Sequence, residues 1–314
     1  MSTIIAFISR IDDDDQRKWL RALQDALPAH RIVTIDEMSD DDKHRAEVAI
    51  VANPDPLDLS RLPNLKWVQS LWAGVERMVG ELPDTTFSIV RMTDPQMAAT
   101  MAEAVLAWTL YLHRDMPLYH SQQNQKLWRQ HDVPLPGERT VGLLGLGHLG
   151  QRAAAKLVGQ DFHVCGWRRS ACHVDGVQTF YGDGGLDEML AQTDILICLL
   201  PLTDQTRGLL NAKRLAMLPQ GAALINFARG PIIDDSALIE SLNNGHLRHA
   251  VLDVFTTEPL PAQSPYWDHP NVTVLPHISA PTNRTTASAI AADNIETFLK
   301  TGSIPAGVDR ETGY

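Results

Sequence analysis

Short apolar runs alternate with amphipathic stretches along the whole chain. In the first hundred residues, runs typical of strands cover 3–9, 31–35, 48–51 and 65–71. The stretch 16–27 repeats its apolar residues at helical spacing, which predicts a helix between the first two strands. This β–α alternation is typical of parallel sheets, so we expect a small α/β domain at the start of the chain.

The second half of the chain repeats this pattern more regularly. Six candidate strands cover 141–144, 162–167, 195–199, 222–227, 250–255 and 272–275. Helical patterns lie at 149–157, 186–191, 212–218 and 236–242. Gly159 is placed to end the first of these helices in a left-handed conformation. Six parallel strands is the number in a doubly wound dinucleotide-binding sheet. We therefore predict an α/β protein with two Rossmann-like or flavodoxin-like doubly wound parallel-sheet domains and a cleft between them.

The region between the two halves departs from the alternating pattern. Residues 95–114 form a long helical pattern that is mostly apolar on one side, as expected for a connector between domains. Residues 117–138 are polar and loop-rich, with Trp128 isolated among them. An exposed aromatic residue there either packs on a second subunit or contacts its own domain. We expect a homodimer.

The amino-acid composition limits the classes of binding partner that we expect. The 27 Lys and Arg residues against 38 Asp and Glu residues give a formal net charge of −11. This charge opposes binding to nucleic acid or to an anionic membrane. The N-terminal sequence has no basic leader, and no apolar run approaches the roughly 18 residues that span a bilayer. The three cysteines form no CxxC pair, which is typical of packed thiols in a reducing compartment, so we expect a cytoplasmic protein.

A metal site is not indicated. The twelve histidines include no HExxH motif. His246 and His249 are three residues apart, but no cysteine or carboxylate cluster accompanies them. The acidic runs at 12–15 and 40–42 lack the glycine and the terminal glutamate of a calcium loop. We predict no metal ion.

A glycine motif follows the first strand of the second half. Residues 140–150 read T-V-G-L-L-G-L-G-H-L-G, so an apolar strand leads into a glycine turn and then a helix. Such a helix N-terminus presents free N–H groups and the positive end of its dipole to a pyrophosphate. A glycine turn without a ligand is the alternative, and the regular β–α alternation argues against it. The predicted contacts are Gly145, Gly147, His148, Leu149 and Gly150.

Two arginines indicate which dinucleotide is bound. In this fold an acidic residue about 20 positions after the glycines accepts hydrogen bonds from the ribose 2′-hydroxyl. Arg168, Arg169 and Ser170 stand there instead. Guanidinium groups match a phosphate, so we predict NADP as the cofactor, with NAD bound more weakly. A solvated basic turn is the alternative.

Polar residues at the ends of the later strands are candidates for chemistry. Arg229, Asp253, Glu258 and His277 lie at or just after the carboxyl ends of predicted strands, and these ends meet at one edge of a parallel sheet. Each is weak evidence alone, but together they supply a proton donor, its carboxylate partner and an anion clamp. The small-residue turn Trp72-Ala73-Gly74 exposes backbone N–H groups that can hold an anion, although an ordinary strand-to-helix turn would look the same.

Four longer runs resemble a known family. They are L-L-P-L-T-D-Q-T-R-G-L-L-N at 199–211, I-N-F-A-R-G-P-I-I-D at 225–234, L-D-V-F-T-T-E-P-L-P at 252–261 and S-P-Y-W-D-H-P-N-V-T-V-L-P-H at 264–277. Together they resemble the D-isomer-specific 2-hydroxyacid dehydrogenases. The ending V-D-R-E-T-G-Y, with S-P-Y-W, resembles the glyoxylate/hydroxypyruvate reductase A branch.

The resemblance implies roles for individual residues. Arg229, Glu258 and His277 would be catalytic, with Arg229 and His277 also binding substrate. The turn at Trp72, Ala73 and Gly74 would hold the substrate carboxylate. Asp253 would contact the nicotinamide carboxamide. We further predict cofactor contacts within these runs from Leu200, Pro201, Thr206, Phe227 and Ala228.

The resemblance also implies a function and a division of the chain. The expected reaction is reduction of small 2-keto acids, glyoxylate and hydroxypyruvate, to D-2-hydroxy acids by NADPH, with His277 as proton donor. Residues 1–104 with 282–314 would form a discontinuous substrate domain, and 105–281 the dinucleotide-binding domain. Two alternatives remain: an NAD(P)-sensing co-regulator on the same fold, and a D-2-hydroxyacid dehydrogenase for a larger substrate.

Overall fold

The structure is a computed structural model and describes residues 3–83 and 85–309. These fall into two compact units. One comprises the residues up to Gln96 together with those from Thr282 onward, and the other is Met97–Pro281. The units change at residues 96 and 97, near the start of a long helix, whereas the sequence-based boundary lies inside that helix. Of the C-terminal motif, residues 310–314 lie outside the described residues.

The elements alternate regularly along the chain. The first are β1 (Ile4–Ser9), α1 (Asp13–Ala26), β2 (Arg31–Thr34), α2 (Asp40–Arg45), β3 (Val48–Ala52), α3 (Pro56–Leu59), β4 (Trp67–Ser70), α4 (Glu76–Glu81), β5 (Ser88–Val90), α5 (Pro95–His113) and α6 (Met116–Asn124). They are followed by β6 (Thr140–Leu144), α7 (His148–Val158), β7 (His163–Arg168), β8 (Val177–Tyr181), α8 (Gly182–Leu190), β9 (Ile195–Cys198), α9 (Ala212–Leu215), β10 (Ala222–Asn226), α10 (Asp235–Asn243), β11 (Leu247–Leu252), β12 (Val272–Val274) and α11 (Arg284–Thr301).

The first unit is built on a five-stranded parallel sheet in the order β2-β1-β3-β4-β5. This is the flavodoxin-like order. Successive residues of β1 enter opposite layers, with Ile5 and Phe7 in one core and Ala6 and Ile8 in the other. The helix α11 belongs to the first of these cores, where Phe298 packs edge to face on Trp67, with ring centroids 5.6 Å apart.

The second unit is built on a seven-stranded parallel sheet in the order β12-β11-β10-β9-β6-β7-β8. Read from β8, this is the Rossmann order with one strand added at the far edge. Both faces are buried, because Leu144 and Cys198 lie in one core while Leu143 and Ile197 lie in the other. The predicted fold class, with two doubly wound parallel sheets, is confirmed.

The strand count predicted for the second half was wrong by one. The strand β8 was missed because it is an edge strand with the sequence V-Q-T-F-Y, in which only Phe180 is buried. An edge strand that faces solvent needs no apolar run, so its sequence carries little signal. In the first half, β5 was missed as well, since it is only three residues long.

Two local predictions were also wrong. Residues 117–138 were expected to be loop-rich, but α6 occupies the first part of this region. Gly159 was expected in a left-handed conformation, but its φ is −65°, and Asp161 two residues later takes a φ of +63° instead. Within the described part of the chain, none of the helices combines the length and the apolar character needed to cross a membrane.

Candidate active site

The glycine motif folds as a strand, a tight turn and a helix. After β6, Gly145 takes a φ of +106°, and α7 begins directly after Gly147. A Cβ on Gly150 would lie 1.8 Å from the carbonyl oxygen of Gly145. Because glycine has no Cβ, α7 can pack at position 150 directly against the turn at Gly145.

The N-terminus of α7 is open to a ligand. Its N-cap residue Gly147 makes no side-chain hydrogen bond to the first turn. A Cβ added to Gly147 would meet no atom of the described chain within 4 Å. The N–H groups of His148 and Leu149 open the helix and have no carbonyl one turn earlier. With the positive end of the helix dipole they form a cradle for an anion, so these residues fit the pyrophosphate of a dinucleotide.

Two guanidinium groups lie at the carboxyl end of the next strand. Arg168 is the last residue of β7, and Arg169 donates from Nη1 to Oε1 of Gln205 at 2.9 Å. Arg169 and Ser170 are exposed, and Arg168 is half-buried. In a doubly wound sheet this position faces the adenosine ribose. The donor set fits a 2′-phosphate on that ribose.

The other predicted cofactor residues lie mostly in buried segments. Leu200 and Pro201 directly follow β9, and the hydroxyl of Thr206 donates to the carbonyl oxygen of Pro201 at 2.7 Å. This hydrogen bond fixes the loop after the strand. Phe227 and Ala228 follow β10 and are buried. Both segments lie at the carboxyl edge of the sheet, where ligands of open α/β sheets bind.

A buried amide and a glycine shape the turn that carries Arg229. The side chain of Asn226 accepts a hydrogen bond from the N–H of Ala228 and donates one to the carbonyl oxygen of Arg229, each at 3.1 Å. A Cβ on Gly230 would lie 2.0 Å from the carbonyl carbon of Phe255. The turn therefore packs directly on the segment after β11. Arg229 is half-buried, and its Nη1 donates to the carbonyl oxygen of Ala228 at 2.6 Å.

Asp253 anchors the segment after β12. Its side chain is 2% exposed, and its two carboxylate oxygens accept the N–H groups of Ile278 at 2.7 Å and Ser279 at 2.9 Å. Its carbonyl oxygen accepts the N–H of His277 at 2.9 Å. Three hydrogen bonds accepted by one residue thus fix the backbone that carries His277.

His277 and Glu258 form a hydrogen-bonded pair. Nδ1 of His277 lies 2.8 Å from Oε2 of Glu258, while Oε1 of Glu258 accepts the N–H of Phe255 at 2.9 Å. The His277 side chain is 51% exposed and the Glu258 side chain 35%. Because Nδ1 is held by the carboxylate, Nε2 of the ring is the nitrogen left to exchange a proton with a ligand.

The electrostatics of the pair keep Glu258 ionised. Partial burial acts to raise the pKa of Glu258. The hydrogen bonds from His277 and from the Phe255 amide, with the positive charges of His277 and Arg229, lower it more, so the pKa lies below its ordinary 4.5. Arg229 lies on the turn whose Gly230 packs on the backbone of Phe255, three residues before Glu258. Arg229, Glu258 and His277 are therefore brought together at one edge of the second sheet.

The predicted anion-binding turn belongs to the first unit. The hydroxyl of Ser70 accepts the N–H of Trp72 at 3.0 Å and donates to its carbonyl oxygen at 3.1 Å, which tightens the chain after β4. The Trp72 ring packs edge to face on Trp19, with centroids 5.8 Å apart. Among the described residues, none accepts a hydrogen bond from the backbone N–H of Ala73 or Gly74.

Two residues that shape the site were not singled out from the sequence. Asn226 and Gly230 lie in the N-F-A-R-G run, where only Arg229, Phe227 and Ala228 were assigned roles. The signal that was present is the glycine directly after a charged residue. The role of this glycine depends on its close contact with the backbone of Phe255, which is distant from it in sequence.

The family of the chain follows from comparison with known proteins. The family model for the D-isomer specific 2-hydroxyacid dehydrogenase, NAD binding domain, matches residues 106–279. A glyoxylate/hydroxypyruvate reductase A from Yersinia enterocolitica is 37% identical over 308 residues, covering 96% of this chain and 97% of that protein. One from Salmonella paratyphi B is 36% identical over 306 residues, covering 94% of this chain and 96% of that protein.

Solved structures agree with this result. A D-isomer specific 2-hydroxyacid dehydrogenase from Xanthobacter autotrophicus in complex with NADPH and MES is 38% identical, covers 100% of both chains and superposes with a TM-score of 0.92. An NADPH-dependent glyoxylate/hydroxypyruvate reductase from Sinorhizobium meliloti in complex with NADP and sulfate is 32% identical, also covers 100% of both chains and has a TM-score of 0.91. The resemblance found in the sequence motifs is confirmed. The chain belongs to the D-isomer-specific 2-hydroxyacid dehydrogenase family of NAD(P)-dependent oxidoreductases.

Proposed function

We propose that this protein is an NADPH-preferring reductase that converts small 2-keto acids, glyoxylate and hydroxypyruvate, to D-2-hydroxy acids. The observation that carries the proposal is the His277–Glu258 pair beside Arg229, on a sheet whose glycine turn fits a dinucleotide. The Yersinia and Sinorhizobium relatives, whose names include both substrates, support the choice of keto acids.

His277 is the proton donor in the proposed mechanism. When bound, NADPH would supply the hydride that the keto carbon accepts. The imidazolium of His277 donates a proton from Nε2 to the oxygen of that carbon as negative charge develops on it. Glu258 accepts a hydrogen bond from Nδ1, which orients the ring and favours its charged form. Asp253 fixes the backbone of His277 and, by the family resemblance, orients the carboxamide of the nicotinamide.

Arg229 and the turn of the first unit bind the anionic substrate. The guanidinium of Arg229 presents two parallel donors, which suit the carboxylate and keto oxygens of a 2-keto acid and stabilise charge as it forms. The N–H groups of Ala73 and Gly74 bind the substrate carboxylate, and Trp72 is the third predicted substrate contact on this turn. These roles make residues 1–104 with 282–314 the substrate domain and 105–281 the cofactor domain.

The cofactor preference rests on Arg168, Arg169 and Ser170. Two guanidinium groups and a hydroxyl at the ribose end of the site favour a 2′-phosphate over a free hydroxyl. The structures of the Xanthobacter and Sinorhizobium relatives, which contain NADPH and NADP, support this preference. NAD binds the same site more weakly because those charges then have no phosphate to pair with.

Location and assembly complete the proposal. Cys165 and Cys198 are buried free thiols, and burial raises the pKa of Cys165 to about 11 and that of Cys198 to about 12. Unreactive packed thiols suit a reducing compartment, so we place the protein in the cytoplasm. We also propose a homodimer formed through residues 117–138, where Trp128 is 96% exposed and Leu135 is 68% exposed.

A substrate panel with one variant tests the proposed function. We expect purified protein to oxidise NADPH with glyoxylate and hydroxypyruvate, and faster than with 2-keto acids of longer side chain. His277→Asn should lower kcat by about 10²- to 10⁴-fold, the usual contribution of a general acid, while the Kd for NADPH stays within about twofold. The assay follows NADPH absorbance for turnover and NADPH fluorescence for binding.

A matched control and two contrary results make the test decisive. His173 forms a second histidine–carboxylate pair, with Asp175 at 3.0 Å, but it is exposed and lies outside the proposed catalytic set. His173→Asn should therefore leave kcat unchanged. NADPH binding without turnover of any keto acid would favour the co-regulator alternative, and retained turnover in His277→Asn would rule out His277 as the proton donor.

A further inference from the structure

A carboxylate outside the proposed catalytic set ties three segments of the second unit together. Asp235 is the first residue of α10. Its Oδ1 accepts the phenol O–H of Tyr266 at 2.8 Å, and its Oδ2 accepts the hydroxyl of Thr256 at 2.9 Å. Thr256 lies in the segment between β11 and Glu258, while Tyr266 lies in the loop that leads on to β12. Each oxygen of Asp235 thus holds a different part of the chain.

Tyr266 is a buried donor to this carboxylate. The residue is 5% exposed, and its ring packs on Phe255, with centroids 5.9 Å apart and an interplanar angle of 47°. Burial raises the pKa of Tyr266, and the hydrogen bond to Asp235 together with the negative charges of Asp235 and Asp234 raises it further. Both effects favour the protonated phenol, which is the form that donates to Asp235.

The segment held by Asp235 is the one that orients Glu258. The N–H of Phe255, one residue before Thr256, donates to Oε1 of Glu258 at 2.9 Å. The other oxygen of Glu258 is 2.8 Å from Nδ1 of His277. The short segment from Phe255 to Glu258 is thus held by hydrogen bonds of the Phe255 amide, the Thr256 hydroxyl and the Glu258 carboxylate. On its other side the same segment packs on Gly230, whose added Cβ would lie 2.3 Å from the Thr256 nitrogen.

We propose that Tyr266 and Asp235 are positioning residues, which hold Glu258 at hydrogen-bonding distance from His277 by clamping the segment between them. The inference rests on the proposed function, in which His277 donates the proton. Tyr266 and Asp235 act only through Glu258, so they determine how strongly the charged form of His277 is favoured. The groups that face Glu258 in this arrangement are His277, Arg229 and the Phe255 amide. Of these, only the Phe255 amide lies in the segment that Tyr266 and Asp235 hold.

Tyr266→Phe is the direct test, because it removes the phenol oxygen and keeps the ring on Phe255. We expect kcat for glyoxylate reduction to fall about three- to tenfold, the effect of one lost hydrogen bond, while the Kd for NADPH is unchanged. The distinguishing readout is the pH profile of kcat/KM. Its alkaline half-point should move down by roughly 0.5 pH unit, in the same direction as in Glu258→Gln, because a loosened Glu258 favours the imidazolium less.

Two further variants separate positioning from general stability. Thr256→Val should reproduce the shift and Thr256→Ser should restore the normal profile, since serine keeps the hydroxyl that Asp235 accepts. Trp267→Phe is the matched control, because the neighbouring Trp267 donates from Nε1 to the carbonyl oxygen of Pro261 at 3.0 Å and is 51% exposed. It removes one hydrogen bond from the same loop and should leave the profile unchanged. If Tyr266→Phe does not fold, the Thr256 pair decides the question.

The outcomes distinguish this inference from the proposed function. If Glu258→Gln does not move the alkaline half-point, the proposed roles of Glu258 and His277 are wrong. If Glu258→Gln moves it but Tyr266→Phe and Thr256→Val do not, only the positioning inference is overturned. A shift of equal size in Trp267→Phe would also overturn it, because the effect would then come from a general loosening of the loop.

Discussion

His277 stands on a backbone conformation that a histidine rarely adopts. Its φ is +53°, in the left-handed region, which costs a residue with a Cβ about 1 kcal/mol or more. The three hydrogen bonds that Asp253 accepts from the N–H groups of residues 277–279 offset that cost and hold the conformation. As a result, both the backbone and the hydrogen bond to Glu258 orient the imidazole. Nδ1 faces the carboxylate, and Nε2 is the other ring nitrogen, which the proposed mechanism uses.

Arg168 is expected to determine the preference for NADPH over NADH. Arg168→Asp replaces a donor for the 2′-phosphate with a repelling carboxylate. Since a hydrogen bond to a charged group contributes about 1.5–3 kcal/mol, the Kd for NADPH should rise at least about 10- to 100-fold, while the Kd for NADH changes little. Fluorescence titration with both cofactors measures this.

The control for Arg168→Asp is an equal change of charge elsewhere. Lys213 is exposed on α9, so Lys213→Asp should leave both dissociation constants as they are. An unchanged preference for NADPH in Arg168→Asp would remove the basis for assigning NADP specificity to this strand end.

The sequence allowed the candidate residues to be named, but not the contacts that orient them. Arg229, Glu258 and His277 follow strands in runs that resemble the family, so one chain was enough to select them. The clamp by Asp235 joins positions 21 and 31 residues away, Thr256 and Tyr266. Such contacts depend on how α10 packs beside the later loops, which local patterns do not encode.

At the scale of the element, the glycines of the turn into α7 make separable contributions. A Cβ on Gly150 would collide with the Gly145 carbonyl oxygen at 1.8 Å, whereas one on Gly147 would meet no atom of the described chain within 4 Å. Gly150→Ala should therefore destabilise the second unit by about 1–3 kcal/mol or more, as overpacking does. Thermal unfolding followed by circular dichroism measures the loss.

Gly147→Ala tests cofactor binding at the N-terminus of α7 rather than packing. It should cost at most about 1 kcal/mol of helix-capping stability, yet it places a methyl group where the pyrophosphate would lie, so NADPH binding should weaken at least tenfold (roughly 1.4 kcal/mol). Normal NADPH affinity in Gly147→Ala would mean that the dinucleotide does not approach α7 in the expected way. A wild-type melting temperature in Gly150→Ala would contradict the packing argument.

The pair of strands β11 and β12 contains a buried histidine that makes stability depend on pH. His249 is 4% exposed, and its Nε2 shares a hydrogen bond of 2.9 Å with the hydroxyl of Thr273. Burial, followed by the charges of Arg248 and His269, lowers the pKa of His249 to about 4. The unfolded chain binds this proton near pH 6.5 and the folded chain does not, so the free energy of unfolding should fall between about pH 6.5 and 4, by about 3 kcal/mol at most.

Urea unfolding at several pH values tests this prediction. His249→Asn should flatten the loss over this interval, while His163→Asn, at an exposed position of β7, should not. Glu258 does not account for the upper part of the interval. Because its pKa is lowered in the folded state, its contribution is complete above its ordinary 4.5 and is lost only below that value. A wild-type slope that His249→Asn leaves unaltered would exclude His249 as its source.

Elements could be predicted from the sequence where both sides of the strand are buried. Residues 195–198 are entirely apolar and buried, and this strand was located nearly to the residue. In β8, at a sheet edge, Gln178 and Tyr181 are exposed and only Phe180 is buried, and in α6 the polar residues outnumber the apolar ones. These elements are held by neighbours on one side only, so their sequences need no continuous apolar pattern.

At the scale of the whole molecule, the acidic surface and the exposed apolar segment have opposite effects on assembly. A net charge of −11 makes copies of the chain repel each other at long range, so a dimer needs a compensating contact. In residues 117–138 the exposed apolar side chains are Leu118, Leu127, Trp128, Val133 and Leu135. Trp128 is the most exposed of them, at 96%, so a variant there has little effect on the fold of the single chain.

Trp128→Asp should therefore convert the proposed dimer to monomer. A buried tryptophan at an interface contributes about 2 kcal/mol or more, and a two-fold interface contains it twice, so the dissociation constant should rise by roughly 10³-fold. Sedimentation velocity over a range of protein concentrations measures the change. Leu57→Asp, at a residue of the first unit that is 76% exposed, introduces the same charge and should leave the assembly intact. Because salt screens the repulsion between acidic subunits, raising the ionic strength should strengthen the wild-type dimer. A dimer weakened by salt, or one that survives Trp128→Asp, would place the interface on another surface.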